Sequence, residues 1–244
     1  MMKKFVGLLC GVMMLVIGMI STGGALTLSS VSGTWTGTQG GSNVNYSTAT
    51  VGYGNGTEYQ VRWGDPGPSG EQSGLGFTGI APPSISFQIG DPFEIGQLCH
   101  FNHQIAGGSE ATEAYLKIEI SFSDPVGLTA EFNFTFDINE TPNTTGDPYQ
   151  DADIITFPSS YPSETFSING VEYTLQLLGF GDSADNLINS FSSPEDGTNV
   201  TKLWGKIITP PPTTVPIPST VLLLGSGLVG LVGFSRKRFS RGEA

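Results

Sequence analysis

Between residues 116 and 138 apolar and polar side chains alternate with a period of two. Leu128, Ala130, Phe132, Phe134, Phe136 and Ile138 fall on one side of an extended backbone, and Thr129, Glu131, Asn133, Thr135, Asp137 and Asn139 on the other. One row predicts a core-facing surface and the other a wet one. Just upstream, Leu116, Ile118, Ile120 and Phe122 alternate with Lys117, Glu119 and Ser121, and Asp124-Pro125-Val126-Gly127 supplies turn residues between the two runs. The pair predicts an antiparallel hairpin. Further strands are predicted over 47–53, 58–63, 76–80, 84–89, 154–157, 164–168, 171–178 and 203–208, with Asn169-Gly170 as a type I′ hairpin turn. No long stretch of this body carries a helical period. The expected fold class is all-β: a β-sandwich of jelly-roll character, its sheets about 10 Å apart, flanked by an N-terminal signal-peptide helix and a C-terminal hydrophobic helix.

The two ends read as targeting segments. Lys3 and Lys4 open a basic region, residues 5–20 form an apolar run, and Gly23 and Ala25 stand at the −3 and −1 positions of a small-residue stretch. Residues 1–25 are therefore a predicted secretory signal peptide cut after Ala25 by signal peptidase, following passage through the Sec translocon. At the other end a Pro-rich spacer and motif (210–218) leads into a hydrophobic segment with a basic tail (219–244). As a helix, residues 219–234 would be about 24 Å long, short of the roughly 30 Å hydrocarbon core, and the basic residues beyond it are expected to stay cytoplasmic. Val215-Pro216-Ile217-Pro218, the Leu- and Gly-rich run and the Arg236-Lys237-Arg238 cluster together resemble a PEP-CTERM sorting signal. Ile217 stands where the name-giving glutamate would be. The resemblance implies an exosortase-type sorting enzyme as partner, transient membrane anchoring, and cleavage near Pro218 with transfer to the cell surface or extracellular matrix.

The charge of the segment between these ends narrows the partners. It holds only Arg62, Lys117, Lys202 and Lys206 against 21 acidic residues, a net −17. Such a surface repels phosphate backbones, which excludes nucleic acid as an expected partner. Cys99 is the one cysteine outside the signal segment, so no internal disulfide can form, and it reads as a buried thiol.

Several motifs fall short of the chemistry they suggest. Gly74 to Gly79 spells G-x-G-x-x-G, but Ala81-Pro82-Pro83 forbids the helix that a dinucleotide site requires. His100 and His103 lie three apart, on opposite faces of an extended chain, and with two histidines in all a zinc site is not expected. Glu119 and Glu131 read as a solvated outer face and not as a glycosidase pair. Asp147, Asp151 and Asp153, with Glu140 and Asn143 just upstream, supply hard oxygen donors on one loop; they form the candidate metal site, with Ca2+ as the expected ion.

Leu98-Cys99-His100-Phe101-Asn102, with Trp63-Gly64, residues 73–79, Glu140-Thr141-Pro142-Asn143 and Gly179-Phe180, resembles the THxN and "choice-of-anchor K" type of extracellular domain, with Cys99 in place of the motif's threonine. That likeness implies a secreted β-domain over 26–209 with no assigned catalytic activity. A structural role for His100 and Asn102, tying neighbouring loops by hydrogen bonds, is the reading of the residues themselves. The expected function is a non-enzymatic exported surface or extracellular-matrix protein. One alternative is a carbohydrate-binding or adhesive module contacting extracellular polysaccharide through Trp35, Trp63, Tyr149 or Tyr161. The other is a polysaccharide-acting hydrolase, which needs two carboxylates flanking a cleft.

Overall fold

The computed structural model describes residues 25–81 and 85–210. The signal segment up to residue 24, the sorting motif Val215 to Pro218 and the Arg236, Lys237 and Arg238 tail lie outside the described residues, as do the segments expected to form the flanking helices. Among the described residues the fold is all-β, and no helix is long and apolar enough to cross a membrane. Thirteen strands follow in order: β1 (Leu26–Gly40), β2 (Asn45–Thr50), β3 (Thr57–Trp63), β4 (Ser73–Gly79), β5 (Ile85–Phe87), β6 (Phe93–Asn102), β7 (Ala111–Asp124), β8 (Thr129–Asn139), β9 (Asp153–Thr156), β10 (Phe166–Ile168), β11 (Val171–Phe180), β12 (Ser190–Ser193) and β13 (Gly197–Ile208). They pair, all antiparallel, into a six-stranded sheet ordered β12-β9-β8-β7-β1-β5 and a seven-stranded sheet ordered β10-β11-β13-β6-β4-β3-β2.

Alternation explains β7 and β8 directly. Leu116, Ile118, Ile120, Phe132, Phe134 and Phe136 are buried, while Glu119 and Glu131 pair across the ladder on the outer face, where Lys117 Nζ reaches Glu131 at 2.9 Å. The Asn169-Gly170 turn has positive φ at both residues, 51° and 81°, and closes the β10–β11 hairpin in the predicted register.

Strand β1 escapes the period-two rule for two physical reasons. Its ladder with β7 shifts register near Leu28 and Ser30, and a bulge moves the inward row from Leu26 and Leu28 to Val31, Gly33 and Trp35. One of those inward positions is a glycine because the facing Phe77 ring occupies its space: a Cβ on Gly33 would stand 2.3 Å from Phe77 Cδ1.

Both sheets bury their inner faces in one core. Phe132, Phe136 and Ile118 come from the six-stranded sheet, Trp63, Phe77, Leu98 and Leu175 from the seven-stranded one. Rings meet from opposite sheets: Phe87 and Phe93 stack at 4.5 Å between centroids, Phe132 meets Phe166 edge-on at 5.9 Å, and Phe136 lies 6.4 Å from Phe180. Each fully buried apolar side chain of this kind stabilises the fold by about 1.5–3 kcal/mol. Trp35 and Trp63 belong to this core, 4% and 0% exposed, so neither can stack on a sugar. Of the four aromatic residues expected on a glycan surface, Tyr149 and Tyr161 remain exposed.

Candidate functional site

At one end of the molecule the apolar core gives way to buried polar side chains. Strand β6 sends Leu98, His100 and Asn102 to its inner face, whereas Cys99 and Phe101 face the other way, under Arg62, whose guanidinium carbon sits 3.3 Å from the centre of the Phe101 ring. Burial pushes the Cys99 thiol far above its ordinary range, so it stays protonated and inert. His100 and Asn102 are both fully excluded from solvent. His100 Nδ1 lies 2.8 Å from Ser193 Oγ, and Asn102 Nδ2 donates to Ser193 O at 2.8 Å. Asn199 Nδ2, opposite His100 on β13, donates to the same Ser193 Oγ at 2.9 Å.

Ser193 ends β12 in the six-stranded sheet, directly paired with Asp153 at the start of β9. Its bonds to His100 and Asn102 therefore fasten one sheet to the other. A second fastening runs from β3 to the segment after β8: Trp63 Nε1 donates to Glu140 Oε1 at 2.8 Å. Between the two lies a group in which a ring nitrogen of His100 and carboxylate oxygens of Glu140 and Asp153 all fall within 4.8 Å of one another.

The electrostatics of this group are those of crowded, dehydrated charge. Burial first, then the neighbouring Glu140 charge, pushes the Asp153 carboxyl far above the usual carboxylate range, although the Thr141 N–H at 2.7 Å from Oδ1 opposes the shift. Burial also raises Glu140, against the donors that face it, Trp63 first among them. Burial, with smaller contributions from His103 and Arg62, lowers His100 to about 3, so the imidazole is neutral at physiological pH. Two carboxylates crowded into one dry site disfavour being charged together.

Several polar atoms here have no hydrogen-bond partner: His100 Nε2, Asn102 Oδ1, Asp153 Oδ2, and, close by in sequence to these residues, Asn143 Oδ1 and Glu195 Oε2. Each orphaned buried group of this kind costs about 1–3 kcal/mol. Glu140 lines a cavity of about 240 Å3 together with Gln104, Glu110 and Asn143, and Asn143 also lines a second one of about 200 Å3 with Asp151 and Glu195.

The three aspartates of the expected calcium loop do not converge. Asp147 caps its own turn, Oδ1 accepting from Tyr149 N at 3.0 Å and Oδ2 from Gln150 Nε2 at 2.9 Å. Asp151 accepts the backbone N–H of Thr145 at 3.1 Å and of Gly146 at 2.9 Å. Of the three, Asp153 alone joins His100 and Glu140. His103 stands apart from His100, 3.2 Å from Glu71. In the sequence Glu140 stands out as a neighbour of the loop and as part of one short family-like stretch; its role depends on Trp63 and His100, which no local spacing connects to it. No protein-family model and no curated protein matches the chain.

Proposed function

We propose that the chain is an exported, non-enzymatic surface or extracellular-matrix protein, its two sheets forming the layers of a β-sandwich and its C-terminal tail serving as a PEP-CTERM-like sorting signal. One observation carries this reading: a body of net charge −17 is bracketed by a basic-apolar start and an apolar-basic end, the arrangement that holds lysine and arginine on the cytoplasmic side while the acidic segment crosses. The polar outer rows of β7 and β8 and the apolar core between the sheets support a body that folds after export without disulfides. On this reading signal peptidase, the Sec translocon and an exosortase-type enzyme are its processing partners.

Calcium has no part in this function, because Asp147 and Asp151 cap their own loop and do not converge with Asp153 on one point. A polysaccharide-facing role would rest on Tyr149 and Tyr161 in place of the buried tryptophans. The hydrolase alternative is disfavoured by the placement of the close carboxylate pair, since Asp153 is completely excluded from solvent and a sugar cannot reach between it and Glu140. Fractionation of the host followed by terminal mass spectrometry of the native protein tests the proposal. Loss of residues 1–25 together with loss of the tail near Pro218 is the expected result; a full-length chain free in the cytosol would overturn it.

A further inference from the structure

We propose that His100, Glu140 and Asp153 bind one divalent transition-metal ion of the zinc type, which joins the two sheets at the polar end of the core. This is independent of the export reading. It also revises the expectation drawn from the histidine pair: His103 is not needed, because two carboxylates from the opposite sheet complete the set.

Three ligand atoms within 4.8 Å of one another are close enough to converge on a single ion through small side-chain rotations. An acidic cluster alone would mean little, since carboxylates often gather without a metal. Here an independent feature points to a ligand: the His100 side chain is fully buried, it belongs to that cluster, and its Nε2 has no partner. Nδ1 is already committed to Ser193 Oγ at 2.8 Å. With its proton on Nδ1 and donated to that hydroxyl, the imidazole keeps the Nε2 lone pair free for an ion, the arrangement by which metal-bound histidines are usually oriented. Asn199, donating to the same Ser193 Oγ at 2.9 Å, fixes the orienting group in turn.

The remaining atoms fit the same ion. Asp153 Oδ1 is held by the Thr141 N–H while Oδ2 is free, so the carboxylate is oriented with one oxygen available. Glu140 is oriented likewise, Oε1 being held by the Trp63 indole. Asn102 Oδ1 is a further unpartnered oxygen on the same face of β6. Charge balances: one neutral imidazole and two carboxylates offer −2, which a divalent ion cancels. Metal ligands bind deprotonated, so ion binding releases protons to solvent and tightens with rising pH. The ion class follows from the donors, because calcium prefers six to eight oxygens whereas an imidazole with carboxylates suits zinc and its neighbours. Of the three ligands, Glu140 also lines the cavity of about 240 Å3.

The test uses the full chain without a polyhistidine tag, purified in detergent, stripped by chelation and titrated with ZnCl2, with CaCl2 in parallel. One zinc per chain is expected, with proton release and a Tm rise of roughly 5–10 °C at free zinc about 100 times Kd. Ser193→Ala should weaken binding about 10–100-fold, and His100→Gln or Asp153→Asn by more. Asp153→Asn keeps the side-chain shape and removes a buried acid, so it folds if the wild type does. Co2+ added to the wild-type protein reads the site without any variant: the intense visible bands of a low-coordinate nitrogen and oxygen site should appear and be displaced by Zn2+. Absence of saturable zinc binding, retention of full affinity in Asp153→Asn, or stabilisation by Ca2+ and not by Zn2+ would each overturn the proposal.

Discussion

Replacing Gly79 with alanine should cost about 3–5 kcal/mol, because this residue is where the backbones of the two sheets touch. Gly79 ends β4 in the seven-stranded sheet, and a Cβ built on it would stand 1.9 Å from Val31 O, 2.5 Å from Val31 C and 3.0 Å from Ser32 N, all backbone atoms of β1 in the other sheet. An ordinary carbon-oxygen approach is about 3.3 Å or more, so one sheet has to retreat by well over about 1 Å. The obstacle is main chain, locked into the β1–β7 ladder, and not a side chain that can swing aside. Overpacking of this kind costs about 1–3 kcal/mol. Retreat also stretches two hydrogen bonds that cross the junction: Val31 N to Ile80 O at 3.3 Å and Asn55 Nδ2 to Val31 O at 3.1 Å. Each contributes about 0.5–1.5 kcal/mol. Equilibrium unfolding in urea reads the difference, with Gly52→Ala as the control, since a Cβ there meets nothing within 4 Å and the change should stay within about 0.5 kcal/mol. A Gly79→Ala loss below about 1 kcal/mol, with an unchanged m-value, would mean that the sheets do not meet as described.

Three further outcomes follow from the site and its surroundings. Trp63→Phe keeps most of the buried ring but removes the donor to Glu140, so it should destabilise by about 2–4 kcal/mol in thermal unfolding and leave any glycan binding unchanged. His100 is depressed to about 3 in the fold from an ordinary value of 6.5, so in the metal-free protein the unfolded state takes up its proton first. Stability is then lost as pH falls from about 6.5 to about 3, by at most about 4–5 kcal/mol, and His100→Gln should flatten that limb of a pH-stability curve. Cys99, 1% exposed with its thiol held protonated, should resist an aromatic disulfide reagent in the native state and react on unfolding; prompt native labelling would contradict its burial.

How much of this was legible in the sequence depends on how far apart the cooperating residues lie. Strands β7 and β8 announce themselves because a half-wet antiparallel pair must alternate, and the Asn169-Gly170 hairpin because two consecutive positive-φ residues demand such side chains. Strand β1 was hidden by a bulge and by an inward glycine whose place is filled by Phe77, from another strand. Strand β6 was hidden because both of its faces are covered, the outer one by Arg62, so no polar row marks its period. The site was legible only in fragments. His100 and Asn102 stood out as a short motif and Asp153 as one of a row of acids, but nothing local tells Asp153, which turns into the core, from Asp147 and Asp151, which bind backbone beside them. Trp63 offers itself in the sequence as a sugar-stacking candidate or as part of a short family-like stretch, and neither points to Glu140, which its indole holds. What assembles these residues is the meeting of two sheets, which strand periodicity constrains but register and packing decide.

The most direct measurement of the central arrangement is long-range proton–nitrogen NMR of the two imidazoles, assigned with His103→Gln. In the metal-free protein His100 should carry its proton on Nδ1 and show no titration between pH 8 and pH 4, and Zn2+ should shift its Nε2 resonance. A His100 ring that titrates near its ordinary value, about 6.5, and ignores zinc would place it in water, away from Glu140 and Asp153, and contradict the account.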